Sequence, residues 1–269
     1  MNALPRLRPG CLLVAALLLW ACPAAALEIF CFHLPYGVPA GTPDTNILVI
    51  REIYALSANP ATKFADWVAY RLDRATVTGD ARTGRDWSAD PWLPDTATLE
   101  PDDFRDAFAK RGTDRGHQAP LGSFKGTDHW QTTNYLSNIT PQRSALNQGP
   151  WNALEEQERV LAREMTIYVV TGPLYEQPMP ELPTADETHT VPSGYWKIIA
   201  ATDSAGALHC SAYIFAQNTP RQAVFRDHLC TVDEVEARSG LDFFTALYGP
   251  EEELLESGCR EFWRVAPEN

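Results

Sequence analysis

GYWKIIAATDSAGALHCSAYIFAQ runs from Gly194 to Gln217. It holds two runs rich in β-branched and aromatic residues, GYWKIIAAT and HCSAYIFAQ, and each reads as a strand. No helical pattern separates them. The same lack of regular βαβ alternation holds along the chain. DWVAYRLD (Asp66–Asp73) alternates and reads as a further strand. TIYVVTGPLY (Thr166–Tyr175) reads as another, stopped by Gly172-Pro173. Helical patterns are interspersed. PDDFRDAFAKRG spans Pro101 to Gly112, with proline near the first turn and glycine past the end. Residues Pro150–Met165 carry an apolar stripe of Trp151, Leu154, Leu161 and Met165. TVDEVEARSG offers a Thr231/Glu234 capping box and a terminal Gly240. This mixture specifies an α+β fold: a central, mostly antiparallel sheet flanked by helices.

Residues 1–26 read as a secretory signal peptide. Arg6 and Arg8 give a basic start, CLLVAALLLWA is too short to span a bilayer comfortably, and PAAALEIF supplies a small-residue cleavage site after Ala26. A rival lipoprotein reading would acylate Cys22 of LWAC, but Trp20 is a poor residue for such a site. Residues 27–269 then form one domain, placed in the periplasm or secreted, with no stable membrane association expected. The chain carries a net charge of −13, and loss of the leader makes it more acidic. Such a charge argues against indiscriminate polyanion binding, so any nucleic-acid site must be a local basic cleft. Of six cysteines, Cys31, Cys210, Cys230 and Cys259 survive cleavage. In an exported chain they suggest disulfides, and the absence of a C-x-x-C pair argues against zinc.

The stretch from Arg74 to Pro101 is rich in Thr, Gly, Asp and Pro and marks a long loop, of a length that is often functional. Beyond it, RGTDRGHQAPLGSF (Arg111–Phe124) places Asp114, Arg115, Gly116 and His117 together. A neutral His117 could accept a proton from water, Gly116 would let the backbone turn and free space beside it, and the Arg115 fork suits phosphate oxygens. The bland alternative is a polar turn with Asp114 and Arg115 as a surface pair. Asn147 stands at a helix start, and Glu155 and Arg159 share a face at i,i+4 spacing. Together they compose a plausible hydrated-metal site.

DRGHQAPLGSF, NYLSNITPQ, LNQGPWNALEEQER and YVVTGPLYE resemble the DNA/RNA non-specific endonuclease family, which carries a ββα-metal (His-Me finger) motif. TKFADWVAY, VPSGYWK, FAQNTP and TVDEVE extend the resemblance over roughly Thr62 to Gly240. It implies that motif embedded in the sheet-and-helix fold. It implies His117 as general base, Asn147 as the direct protein ligand of Mg²⁺ (Mn²⁺ as a substitute) and Glu155 as holder of metal-bound water. Arg115, Arg159 and, on the long loop, Arg85 would meet the scissile phosphate. Asn138 would orient rather than react. DNA and RNA would be the substrates, and a homodimer the assembly.

A few arginine forks in one cleft can outweigh a distant, salt-screened acidic surface. His33, His129, His189, His209 and His228 have no motif support and read as structural or surface residues. For the disulfides, the resemblance suggests Cys259 with Cys230, leaving Cys31 with Cys210. The leading expectation is an exported, Mg²⁺-dependent, sugar-non-specific endonuclease. The alternatives are a phosphodiesterase of narrower substrate range and a catalytically silent nucleic-acid-binding protein. Five intact site residues, His117, Asn147, Glu155, Arg115 and Arg85, argue against silence.

Overall fold

The computed structural model describes residues 31–80 and 84–258. The leader with Cys22, and Cys259 at the other end, lie outside them. In chain order the elements are β1 (Ile47–Ile50), β2 (Ala55–Asn59), β3 (Phe64–Leu72), α1 (Arg74–Val77), α2 (Ala107–Arg111), β4 (Thr113–His117), β5 (Ile139–Arg143), α3 (Ser144–Leu146), α4 (Asn152–Ala162), β6 (Ile167–Leu174), β7 (Gly194–Thr202), β8 (Leu208–Ala216), β9 (Leu229–Cys230), α5 (Val232–Ser239) and α6 (Pro250–Glu256). Seven strands form one sheet in the order β1-β2-β3-β6-β7-β8-β9, and every neighbouring pair is antiparallel. β4 and β5 form a separate antiparallel ribbon. Ribbon and α4 together make a β–β–α unit.

The sheet is the middle of three layers. Along β7 and β8, Tyr195, Ile199, Tyr213 and Phe215 face a core shared with Trp151 and Leu154 at α4. Their neighbours Trp196, Ile198, Ala212 and Ile214 face a second core with Val232 and Val235 of α5. Side chains alternate across a strand, so a sheet covered on both faces needs apolar residues at every position. That is why GYWKIIAAT and HCSAYIFAQ read as almost continuous apolar runs. No helix among the described residues is long and apolar enough to cross a membrane.

Three sequence readings are corrected. The helix expected over Pro101–Gly112 is broken: a 3-10 turn covers Pro101–Phe104, Arg105 is extended, and α2 restarts after Asp106, whose φ is +60°. Glu100 and Asp103 cap the first turn reciprocally, which closes it locally instead of propagating it. The strand expected to stop at Gly172-Pro173 runs through both, pairing them with Trp196 and Tyr195. A Cβ on Gly172 would lie 2.3 Å from the Asp66 carbonyl oxygen, so close strand approach requires glycine there. Finally, Cys31 is a buried free thiol, so the suggested Cys31–Cys210 bridge is not formed.

The remaining elements match more closely. α4 is shorter than expected, because the chain is kinked at Gly149 (ψ −116°) and enters the helix through Pro150 and Trp151. Trp151, Leu154 and Leu161 of the apolar stripe are buried, whereas Met165 lies past the helix at the surface. Thr231 caps α5 by accepting from the Glu234 amide, and Gly240 ends it in the left-handed region. Of the unassigned histidines, His129 and His209 pair with Glu52 and Asp203, and His33 bonds to the Arg51 carbonyl.

Candidate active site

β4 carries Asp114, Arg115 and His117 to the wall of a cavity of about 720 Å³, which Arg85, Trp87 and Asn147 also line. Gly116 is needed for close packing, not for a turn. It sits in the strand opposite Thr140, where a Cβ would come within 2.6 Å of the Gln142 side chain. The ribbon can therefore pack closely behind His117.

His117 Nε2 lies 3.1 Å from Oδ1 of Asn134. The other end of that amide, Nδ2, donates to the Gly84 carbonyl at 3.2 Å, which fixes its orientation. An amide oxygen only accepts, so neutral His117 must carry its proton on Nε2 and its lone pair on Nδ1. The Trp87 ring packs against the imidazole at 5.3 Å between centroids. Burial first, and then the positive field of Arg85, hold the His117 pKa down to about 4, against an upward pull from the Asn134 bond. The ring is accordingly neutral at pH 7 and able to take a proton.

Asn147 lies at the kinked entry to α4. Its Nδ2 donates to Asp114 at 2.9 Å, and Asp114 also accepts from Ser144 Oγ at 2.6 Å and Gln148 Nε2 at 2.8 Å. Asp114 thus faces the helix entry instead of forming a surface pair with Arg115. Its hold on the amide nitrogen leaves Asn147 Oδ1 as the disengaged end, a hard oxygen donor. Among the described residues, the clusters of three acidic, His or Cys side chains close enough to share an ion are Glu100–Asp103–Glu187 and Asp233–Glu236–Glu256, both elsewhere. A cation beside Asn147 would hence keep most of its water, a donor set that suits Mg²⁺ better than metals needing a full protein cage.

The arginines differ in setting. Arg85 is exposed on the long loop and, among the described residues, donates to its neighbour's carbonyl, Gly84 O, at 3.2 Å. Arg115 is held between the rings of Trp87 and Phe104, 5.5 and 5.3 Å from their centroids, and donates to Pro101 O at 2.7 Å. Burial draws its pKa down from the usual arginine value.

Glu155, Arg159 and Asn138 do not line this cavity. Arg159 is buried, 4.0 Å from Glu155 and 2.8 Å from Glu156, and it reaches Ser123 Oγ at 3.4 Å. It thereby packs α4 against the segment following His117. Burial pushes the Glu155 carboxyl up to about 7, opposed by the nearby Lys197 and Arg159 charges. Asn138 is fully buried and clamps the chain after His117: it accepts from the Ala119 amide at 2.8 Å and donates to the carbonyls of Ala119 and Thr133 at 3.0 and 2.9 Å. Those bonds tie the segment after His117 to the chain at Thr133.

Sequence reading missed Asn134, Asp114 as an orienting group, Trp87, and a buried ion pair beneath α4. In the last, Lys197 Nζ lies 2.7 Å from Glu158 Oε1 and 3.2 Å from the Tyr70 hydroxyl, which donates to Glu158 Oε2 at 2.8 Å. Asn134 opens the NYLSNITPQ segment and Asp114 stands within TDRGH, so both lay in motifs already quoted. Lys197 and Glu158 also lay in quoted segments, VPSGYWK and LNQGPWNALEEQER, but nothing local to either pairs it with the other.

Comparison with known proteins follows the same outline. The family model for DNA/RNA non-specific endonucleases matches residues 36–249. The chain is 44% identical to a nuclease of Serratia marcescens over 240 residues, 88% of this chain and 89% of that one. It is 30% identical to a nuclease of Nostoc sp. over 79% of this chain and 80% of the relative. Mitochondrial endonuclease G of Bos taurus is 28% identical over 76% and 71% of the two chains. Among solved structures, a chain of the EndoG/EndoGI complex superposes with a TM-score of 0.68 at 25% identity, covering 80% of this chain and 91% of that one.

Proposed function

This chain belongs to the DNA/RNA non-specific endonuclease family, and on that premise we propose an exported, Mg²⁺-dependent enzyme that cuts DNA and RNA in the cavity around His117. The observation that carries the proposal is the His117–Asn134 bond. It leaves Nδ1 of a neutral imidazole as the basic atom. A water gives its proton to Nδ1 as its oxygen attacks phosphorus, and the bond to the 3′-oxygen breaks. Asn138 holds the segment after His117 in place, and Trp87 packs against the imidazole ring.

Asn147 Oδ1 would be the protein ligand for the cation, with Asp114 fixing the amide. When bound, Mg²⁺, or Mn²⁺ in its place, supplies Lewis-acid stabilisation at the leaving oxygen. Glu155 lies outside the cavity lining, 4.0 Å from Arg159, and would act on the cation's water through its charge. Arg85 and Arg115 meet the phosphate, where negative charge accumulates, while the buried Arg159 braces α4 against the segment after His117. A site that grips phosphate carries no sequence information and no strict need for one sugar, which accounts for action on both polymers. Residues 1–26 direct export to the periplasm or beyond.

A nicking experiment tests this reading. Supercoiled plasmid and a structured RNA are incubated with the purified chain in Mg²⁺, with EDTA, and with Mg²⁺ restored. Both polymers should be cut, EDTA should stop cutting, and Mg²⁺ should revive it. Retention of plasmid without nicking would point to a silent binding protein. Cutting of one polymer alone would narrow the substrate.

A further inference from the structure

We propose that Phe108 is a stacking platform for an unpaired nucleobase of the strand being cut, next to the scissile phosphate. The inference rests on the reading of the cavity as a phosphodiester site. Its origin is the asymmetry of the cavity walls.

One wall carries Arg85, Arg115, His117 and Asn147. The segment Pro101–Ala109 supplies much of the remaining lining, with Phe104, Ala107, Phe108 and Ala109 as its apolar part. Arg105 is bound to Asp102 at 3.1 Å and Lys110 to Asp106 at 3.1 Å, and Asp103 leaves the stretch net negative, so this side offers no free cation to a phosphate. On α2, Ala107 is 2% exposed and anchors the turn in a small core with Phe104 and Leu99, while the next residue, Phe108, is 64% exposed on the cavity wall. Exposed apolar side chains scattered singly mean little. This ring instead stands in the same concavity as the proposed base and arginines. A cavity of about 720 Å³ is also within the range that admits a nucleotide-sized ligand.

A nucleotide with its phosphate at the arginine wall must place its base somewhere beside that wall. The Pro101–Ala109 segment disfavours a phosphate and presents an exposed aromatic face, which makes it the chemically matched neighbour for the base. Base-on-aromatic stacking is sequence-tolerant because every base has a π-face, so the contact adds affinity without base specificity. It requires a base out of its pair, and therefore favours single strands or locally opened duplex.

The test compares wild type, Phe108→Ala and Phe108→Tyr on a single-stranded oligonucleotide, its perfect duplex and bis(4-nitrophenyl) phosphate, a diester with no nucleobase. Position 108 is a surface site, and circular dichroism verifies the fold of each variant. For Phe108→Ala we expect KM on the single strand to rise about five- to hundredfold. The loss should be larger than that on the duplex and larger again than that on the base-free diester. Phe108→Tyr, which keeps the ring, should recover most of it. Equal losses on all three substrates, or no loss on the single strand, overturn the platform while leaving the phosphodiester reading intact. A wild-type protein that cuts none of the three overturns that reading, and the platform with it.

Discussion

Oδ1 of Asn134 lies 3.1 Å from Nε2 of His117, and the same amide donates to Gly84, the residue before Arg85. One side chain therefore sets the tautomer of the imidazole and ties it to the loop that carries an arginine of the cavity. Asn134→Ala should lower kcat by about 100-fold, the scale at which loss of an orienting contact misplaces a reacting group. Its effect on KM should be smaller. Steady-state kinetics on a single-stranded oligonucleotide, with nucleic-acid binding measured in parallel, decides it. An unchanged kcat would deny Asn134 this role.

The pH profile should separate two groups. His117 is held down to about 4, so it is neutral and competent from about pH 5 upward, and protonation removes its activity only below that range. Glu155 is pushed up to about 7, so its carboxylate form is gained as pH rises through neutrality. If ionised Glu155 is what activity needs, kcat/KM should climb in two steps, one near pH 4 and one near pH 7 that a bound cation moves lower. Glu155→Gln should abolish the upper step and keep the lower. A variant retaining both steps would show that the upper one belongs to another residue.

His117→Ala and Asn147→Ala should fail for different reasons. The first removes a proton acceptor and should cut turnover by about 10²–10⁴-fold, with added imidazole, and not added metal, restoring part of it. The second removes the protein's oxygen donor, so it should raise the Mg²⁺ concentration needed for half-maximal rate. A grid of Mg²⁺ against imidazole reads both at once. Identical behaviour of the two variants across the grid would collapse the assignment.

Lys197 and Glu158 are both fully buried, and each is the other's charge partner. Lys197→Met leaves an uncompensated carboxylate under α4 and should destabilise the fold by about 3–5 kcal/mol. Adding Glu158→Gln should recover a large part of that loss, because the stranded charge is gone. Urea unfolding of the single and double variants measures the difference. A double variant less stable than Lys197→Met would show that the pair is not the source of the cost.

Much of this molecule was legible in the sequence. The apolar runs of β7 and β8, the cap of α5 at Thr231 and the chemistry-bearing residues His117, Arg115 and Asn147 are local features: residue type, spacing and motif. They determine which segments extend, which face is apolar and which side chains can accept protons or hold a cation. They also fixed the family, because several long segments match in order.

Tertiary structure decided the rest. Asn134 is 17 residues from His117, Asp114 is 33 from Asn147, and Glu158 is 39 from Lys197. Local periodicity cannot say which of many polar side chains will meet across such separations. The strand through Gly172 and Pro173 persists because β7 pairs with it, and the helix after Pro101 breaks because its first turn closes on its own cap. In each case a contact made only in the closed fold outweighs a weak local preference. The tautomer of His117 and the orientation of Asn147 follow from such contacts. The sequence alone thus determined the chemical groups available, and the packed fold decided which atom of each is taken up by a hydrogen bond and which is left open.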